Sequence, residues 1–235
     1  MPDSPAAALI LAAGLGTRMK SALPKVMHHV AGRPMVAHLL ETVGKTAPER
    51  IAVVIGPGME DVAAAVAPYP VCVQHERLGT GDAVKAGRAE LETFTGPVLV
   101  LYGDTPLVSA ATMQAAVAAC TGGAAVVVVG FRPNTGGDYG RLVTDESGAL
   151  TAIVEAKDAT AEQLKIGLCN SGIMAISGSH LFALLDGLDT NNVKGEYYLT
   201  DIVALAHGKG LQTAVVEAEE AELMGVNSRG ELAVA

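Results

Sequence analysis

Five short apolar runs constrain this chain more than any other feature: residues 7–12, 51–55, 71–74, 98–102 and 124–130 carry almost no polar alternation. A strand with one wet face alternates, whereas a strand covered on both faces reads as a continuous apolar run. The intervening segments 35–43, 59–66, 80–91 and 110–120 show helical apolar spacing instead. Strand and helix in succession predict an α/β fold, with a mainly parallel twisted sheet and helices on both faces. At 235 residues and 50% hydrophobic, the chain is long enough for one such domain with a substantial core. With no Trp and 3% aromatics, that core has to be assembled from Ala, Val, Leu, Ile and Met.

Beyond Phe131 the pattern changes. Runs at 141–144 and 150–155 flank Asp145-Glu146-Ser147-Gly148, a hairpin turn by composition. Further strands are predicted at 171–176 and 212–216, with helices around 180–185 and 198–207. No Gly/Ser- or Pro-rich linker separates the halves, so the second half reads as an insertion packed on the same sheet. There is no internal repeat.

Ligands of parallel α/β sheets sit outside the carboxyl ends of the strands. Three chemically loaded segments fall there: residues 14–25, 74–81 and 103–106. The first runs Leu11-Ala12-Ala13-Gly14-Leu15-Gly16-Thr17-Arg18-Met19 and continues through Leu23-Pro24-Lys25-Val26. A glycine turn after a strand lets backbone N–H groups approach a polyphosphate, because no Cβ stands in the way. Arg18 adds a planar fork for phosphate oxygens and Lys25 a compact charge. This chemistry suits a nucleoside triphosphate; the plainer alternative is that Gly14 and Gly16 merely turn a strand into a helix. A P-loop is excluded, since no Gly-Lys-Ser/Thr follows at its spacing. A dinucleotide fingerprint is excluded because Met19 stands where its third glycine belongs, and Glu41, the nearest acid for a ribose, lies in a helical pattern.

Tyr102-Gly103-Asp104 ends an apolar strand with a carboxylate. Asp104 suits Mg²⁺, which takes one or two protein oxygens plus phosphates and waters at about 2.0–2.1 Å. A turn or a helix cap explains it as well. Gln74 closes another strand just before Leu78-Gly79-Thr80-Gly81. Its amide can pair with a base edge, while Thr80 can N-cap the helix that follows.

The net charge of −9 argues against general nucleic-acid binding and requires any positive charge to be local or carried by a metal ion. Cys72, Cys120 and Cys169 form no CxxC pair, which suits a reducing cytoplasm and offers neither a disulfide framework nor a zinc site. The six histidines form no ligand pattern. The N-terminal apolar run carries Asp3 rather than a basic region and reads as a first strand, not a signal peptide. No run is long enough to cross a bilayer.

Gly14-Leu15-Gly16-Thr17-Arg18-Met19, a short spacer and Pro24-Lys25-Val26 resemble the signature of the sugar-phosphate nucleotidyltransferases. That short spacer and Leu78-Gly79-Thr80-Gly81 narrow the likeness. It is nearest the uridylyltransferase (pyrophosphorylase) domain of the bacterial bifunctional N-acetylglucosamine-1-phosphate uridyltransferase/glucosamine-1-phosphate acetyltransferases, over about residues 8–227. The resemblance implies a Rossmann-like nucleotide-diphospho-sugar transferase fold. Residues 1–130 would form its nucleotide half and residues 131–227 a sugar half with a β insertion. It further implies uridylyl transfer from UTP to N-acetylglucosamine 1-phosphate, giving UDP-N-acetylglucosamine for cell-wall precursors.

By the same resemblance Arg18, Lys25 and Asp104 are the catalytic set, and Asp104 with Asn227 would hold Mg²⁺. Asn227, in Gly225-Val226-Asn227-Ser228, is otherwise a turn or cap residue. Leu11, Ala12, Ala13, Gly14, Gly16, Thr17, Gln74, Gly79, Thr80, Tyr102 and Gly103 would meet the nucleotide. Gly140, Glu155, Asn170, Tyr198 and Thr200 would meet the sugar, although Tyr197 and Tyr198 read equally as packing at a helix start. Two departures stand out: the loop 134–140 is one residue longer than usual, and Ser171 replaces a frequent threonine. The family's acetyltransferase domain is a left-handed β-helix of hexapeptide repeats. With no such repeat here, neither acetyl transfer nor the trimer associated with that domain is expected of these residues. A monomer or weak oligomer is the expectation. Two rival readings remain: a cytidylyl or uridylyl transferase for another phosphate, such as methylerythritol phosphate, and a non-catalytic nucleotide-sugar-binding module.

Overall fold

The computed structural model describes residues 5–134, 137–146 and 148–235. Asp3, the loop positions Thr135 and Gly136, and Ser147 of the expected hairpin turn lie outside the described residues. The predicted sheet is present. Its strands are β1 (Ala7–Leu11), β4 (Arg50–Ile55), β5 (Val71–Val73), β6 (Pro97–Tyr102), β7 (Val126–Phe131), β8 (Arg141–Thr144), β9 (Leu150–Val154), β10 (Cys169–Ser177) and β11 (Thr213–Glu217). Between β1 and β4 lies a small ribbon of β2 (His29–Val30) and β3 (Arg33–Pro34), too short to leave a period in the sequence.

The main path runs β11-β7-β10-β6-β1-β4-β5, with β8 and β9 attached through β10. β1, β4, β5 and β6 are parallel, as are β7 and β11; β10 runs antiparallel to both β6 and β7 and joins the two groups. The second half is therefore stitched into the same sheet, as the missing linker suggested.

Helices cover both faces: α1 (Met35–Lys45), α2 (Glu60–Ala65), α3 (Thr80–Ala86), α4 (Arg88–Leu91), α5 (Ala110–Thr121), α6 (Gly178–Leu185), α7 (Ile202–Gly208), α8 (Glu220–Leu223) and α9 (Arg229–Val234). The period of two sorts the sheet's side chains between two cores. Ala7, Leu9 and Leu11 pack with α3, α6 and α7, whereas Ala8 and Ile10 pack with α1, α2 and α5. All five β1 residues are buried, which is why the run shows no polar alternation. Each large side chain so buried contributes about 1.5–3 kcal/mol. All three cysteines are buried and free.

Two helices differ from their predicted form. The helix expected over 80–91 is interrupted at Gly87, the poorest helix former after proline. The one expected over 198–207 opens with a 3₁₀ turn at Leu199–Asp201 before α7. Because β1, β5 and β6 are parallel, their carboxyl ends bring residues 12–25, 74–81 and 103–106 to one edge.

Candidate active site

The glycine turn stays tied to the sheet edge: the Ala12 N–H donates to the Val54 carbonyl at 2.7 Å, and that of Gly103 to Leu11 at 2.9 Å. Gly16 has φ +62°, and a Cβ there would lie 2.6 Å from Lys25 Cβ. Only glycine lets the chain fold back so closely on its own lysine. Gly16 and Thr17 thus shape the turn, and Thr17 opens a 3₁₀ turn (Thr17–Met19) anchored by buried Met19. A second 3₁₀ turn, Lys25–Met27, carries the lysine.

Four predicted side chains meet in one charge cluster. The Lys25 ammonium pairs with Asp104 Oδ2 and donates to Asn227 Oδ1 at 3.1 Å. Arg18 Nη2 donates to the same Asn227 oxygen at 2.9 Å. Asn227 is itself fixed in place, since its N–H donates to Glu231 Oε2 at 2.7 Å and its Nδ2 to the Gly225 carbonyl at 3.2 Å. With Nδ2 on a carbonyl, Oδ1 has to face the cations. The Val226 N–H donates to the Asp104 carbonyl at 2.9 Å, joining two segments far apart in sequence. Asp104 is buried, and the turn and cap roles near it fall to other side chains. Ser109 Oγ caps α5 through the Thr112 N–H, and Thr105 turns back onto the Tyr102 carbonyl.

Gln74 sits at the end of β5, 5% exposed. The loop after it is zipped to a distant segment: the Tyr197 N–H donates to Leu78 and the Gly81 N–H to Tyr197, at 2.7 and 2.8 Å. Gly79 makes that approach possible. Its φ is +113°, and a Cβ would stand 2.6 Å from the Tyr197 carbonyl oxygen. Thr80 does not cap its own helix; its Oγ1 accepts from the Leu199 N–H at 3.0 Å. A cavity of ≈ 250 Å³ is lined here by Leu11, Ala12, Ala13, Gly14, Lys25, Gln74, Gly79, Thr80, Tyr102 and Asp104, with Arg77 and Glu196.

A second cavity, of ≈ 570 Å³, adjoins it. Arg18 and Asn227 line this one, and Lys25, Tyr102 and Asp104 line both. Gly103 lines neither cavity; a Cβ there would stand 2.8 Å from Val26 Cγ1. The other predicted contacts lie outside the two linings but form linked pairs. The Asn170 N–H donates to the Gly140 carbonyl at 2.8 Å, and Thr200 Oγ1 to Glu155 Oε1 at 3.3 Å. Asn170 begins an irregularity in β10, where pairing with β7 skips from Asn170 to Met174 and brings Ser171 onto the second cavity. Burial raises the Glu155 carboxyl above its ordinary value, against the Thr200 bond. Burial also raises the Tyr102 phenol, and the negative charges of Asp104 and Glu155 add to this, so both carboxylates are felt at one ring. Tyr198 is buried and its phenol is raised by that burial.

Several residues at this edge escape sequence reading. Arg77 Nε donates to the Ala13 carbonyl at 3.0 Å and bridges two edge loops. Asp82 binds Gln74, Glu231 orients Asn227, and Arg229 donates to the Met19 carbonyl at 3.1 Å. The only sequence signal for Arg77 is a basic residue in a strand-to-helix loop at the carboxyl edge; the other three carry none.

The chain has relatives elsewhere. Residues 8–182 match the model of the MobA-like NTP transferase domain. The chain is 61% identical over 231 residues to the bifunctional protein GlmU of Rhodospirillum rubrum, covering 97% of this chain and 52% of that protein. It is 56% identical over 237 residues to GlmU of Paramagnetospirillum magneticum, covering 100% and 53%. The chain thus spans about half the length of these relatives. Among solved structures, UDP-glucose pyrophosphorylase complexed with UDP-glucose superposes with a TM-score of 0.75 at 17% identity, over 97% of this chain and 95% of that one. That likeness carries the fold, a nucleotide-diphospho-sugar transferase architecture. The family follows from the match over residues 8–182: this chain belongs to the MobA-like NTP transferase domain family.

Proposed function

We propose that this domain transfers the uridylyl group of UTP to N-acetylglucosamine 1-phosphate, giving UDP-N-acetylglucosamine and pyrophosphate. The observation that carries the reading is Lys25, held between Asp104 and Asn227 with Arg18 alongside, on the wall common to two adjoining cavities. One cavity suits the nucleotide and the other the phosphate-bearing partner. Supporting it are the NTP-transferase family, the sequence resemblance over residues 8–227, and a shared fold with an enzyme solved with UDP-glucose.

The sugar phosphate is already an oxyanion, so no protein nucleophile is needed. Its oxygen attacks the α-phosphorus of UTP as the bond to the pyrophosphate oxygen breaks in line. Two anions must approach each other for this, and positioning with charge neutralisation lowers the barrier. Lys25 and Arg18 supply positive charge to the departing phosphates; Lys25 is partly buried, where a charge acts more strongly than in bulk water. Asp104 Oδ2 and Asn227 Oδ1 both face the Lys25 ammonium, so the pair already offers two oxygens to a cation, a donor set that fits Mg²⁺ completed by phosphates and waters. Among the described residues no cluster of three or more His, Cys, Asp or Glu gathers to hold a metal. Asp104 and Asn227 would hold such an ion, with substrate and solvent completing its ligands. When bound, Mg²⁺ would supply additional charge neutralisation between the two phosphates.

The division into a nucleotide half, residues 1–130, and a sugar half, residues 131–227, belongs to the same proposal. Glu155, Asn170 and Thr200 would meet the sugar, with Gly140 and Tyr198 completing that side. A cytoplasmic setting is supported by three buried, free cysteines, as a reducing compartment leaves them. Among the described residues no helix is long and apolar enough to cross a membrane.

The test is pyrophosphate release from UTP and Mg²⁺ with N-acetylglucosamine 1-phosphate, glucosamine 1-phosphate or glucose 1-phosphate. Magnesium-dependent release fastest with the N-acetylated sugar is expected. Release with another sugar alone would overturn the substrate, and silence with all three would leave a binding module.

A further inference from the structure

Gln74 Nε2 lies 3.1 Å from the Gly79 carbonyl oxygen and 2.7 Å from Asp82 Oδ2. The carbonyl and the carboxylate can only accept. A primary amide has two N–H donors and one acceptor oxygen. These two contacts leave the amide one orientation, with both protons taken up by the protein. Gln74 Oε1 makes no hydrogen bond among the described residues, yet Gln74 lines the ≈ 250 Å³ cavity. What the side chain presents to a ligand is a lone pair, with no donor.

Asp82 is decisive because the Gly79 carbonyl alone would hold the amide by a single bond. Rotating the amide would set Oε1 against the Asp82 carboxylate, and two acceptors repel. We propose that Asp82 is a positioning residue for base selection. By locking the Gln74 amide, it makes the site accept a base edge that donates, such as uracil N3–H, and refuse one with a lone pair there, such as cytosine N3. The inference rests on the uridylyl-transfer reading for its biological meaning. Its chemistry needs only that a pyrimidine nucleotide enters the cavity. A site that offers one hydrogen-bonding pattern discriminates strongly, because the wrong partner leaves buried polar groups unpaired.

A purely structural role makes a different forecast. Asp82 lies in the first turn of α3, where a carboxylate favours the helix dipole. Losing that effect would lower stability and weaken all nucleotides alike.

The experiment compares the unaltered chain with Asp82→Asn and Asp82→Ala. It measures UTP and CTP binding by calorimetry with Mg²⁺, and kcat and KM for each nucleotide with N-acetylglucosamine 1-phosphate. The side-chain amide that Asp82→Asn introduces can meet Gln74 as donor or acceptor, so it releases the lock while keeping the shape. The expected result is a UTP preference of at least about a hundredfold in the unaltered chain. In Asp82→Asn it falls at least about tenfold, mainly through nucleotide KM rather than kcat. An unchanged UTP:CTP ratio in both variants, whatever their melting temperatures, overturns the inference, as does equal use of UTP and CTP by the unaltered chain. Should Asp82→Asn not fold, the Asp82→Ala ratio decides. If the unaltered chain turns over no nucleotide, the function reading fails by itself. The ratio of UTP to CTP binding still decides the role of Asp82.

Discussion

The proposed nucleotide and sugar sides are built differently. On the Gln74 side the contacts that set the amide and the lysine are local: Gln74 reaches Gly79 and Asp82 within eight residues, and the glycine turn folds onto Lys25 within one short segment, while Tyr197 and Leu199 brace the loop from afar. On the opposite side the contacts join distant segments, Gly140 to Asn170 and Glu155 to Thr200, the latter 45 residues apart. The amide lock of the first side lies within one strand-turn-helix unit, which Tyr197 and Leu199 then clamp from a distant segment. The second side has no such local unit: Gly140 precedes β8 and meets β10 at Asn170, and Glu155 follows β9 and meets the 3₁₀ turn at Thr200. The charge cluster between them is a hybrid, since Arg18 and Lys25 are neighbours whereas Asn227 lies 202 residues from Lys25. A base reader can be a contiguous motif, but bringing two phosphates together needs residues from both ends of the chain.

The shared wall is where the comparison breaks most severely. Lys25→Ala and Asp104→Asn each remove one half of the central ion pair. Losing one such preorganised charge costs on the order of 3 kcal/mol, roughly a hundredfold in rate. We expect at least that loss of pyrophosphate release from either folded variant, whichever nucleotide or sugar phosphate is varied. Near-parental turnover in either would take that residue out of the mechanism.

A smaller effect sharpens the contrast. Thr200→Val removes the hydroxyl donor to Glu155, on the side assembled from distant segments. One lost hydrogen bond to a charged, partly buried acceptor is worth about 1.5–3 kcal/mol. The KM for the sugar phosphate should therefore rise at least about tenfold, with that for UTP little changed. If both KM values rise together, the two walls are not separate binding surfaces.

This contrast also governs what the sequence makes legible. Unbroken apolar runs predict β1, β4, β6 and β7 to within one or two residues, because burial on both faces is written into composition. The ribbon of β2 and β3 is missed because two residues cannot show a period. α8 and α9 are missed because each is little more than one turn. The nucleotide side is readable because glycines, a lysine and an arginine fall together in the chain. Thr80 misleads: its N-cap signature is correct chemistry, but the Leu199 N–H claims the hydroxyl. Asn227 has no local signal at all, and only resemblance nominates it. Asp82 and Glu231 carry no signal in the sequence; only the fold shows which amide each one orients.

The smallest predicted effect follows from burying acids on the distant-segment side. Asp201, next to Thr200, has its carboxyl pushed up to about 6, first by burial and then by the charges of Asp189, Glu155 and Asp158. Its ordinary value is 3.8, so between about pH 4 and 6 the folded chain binds more protons there than the unfolded chain. Stability must then fall as pH rises through that window, the reverse of a salt-bridged carboxylate. Asp201→Asn removes the cost of ionisation. Because the group is only partly buried, solvent screening leaves on the order of 1 kcal/mol. For a domain of this size that is about 2–4 °C in melting temperature. The variant should melt higher than its parent by that amount at about pH 8, and the gap should close near about pH 4, where Asp201 is largely protonated in the folded chain. A gap of equal size at both pH values would mean that shape or packing, not charge, sets the cost. Acid crowding would then not be part of what distinguishes this wall from the one around Gln74.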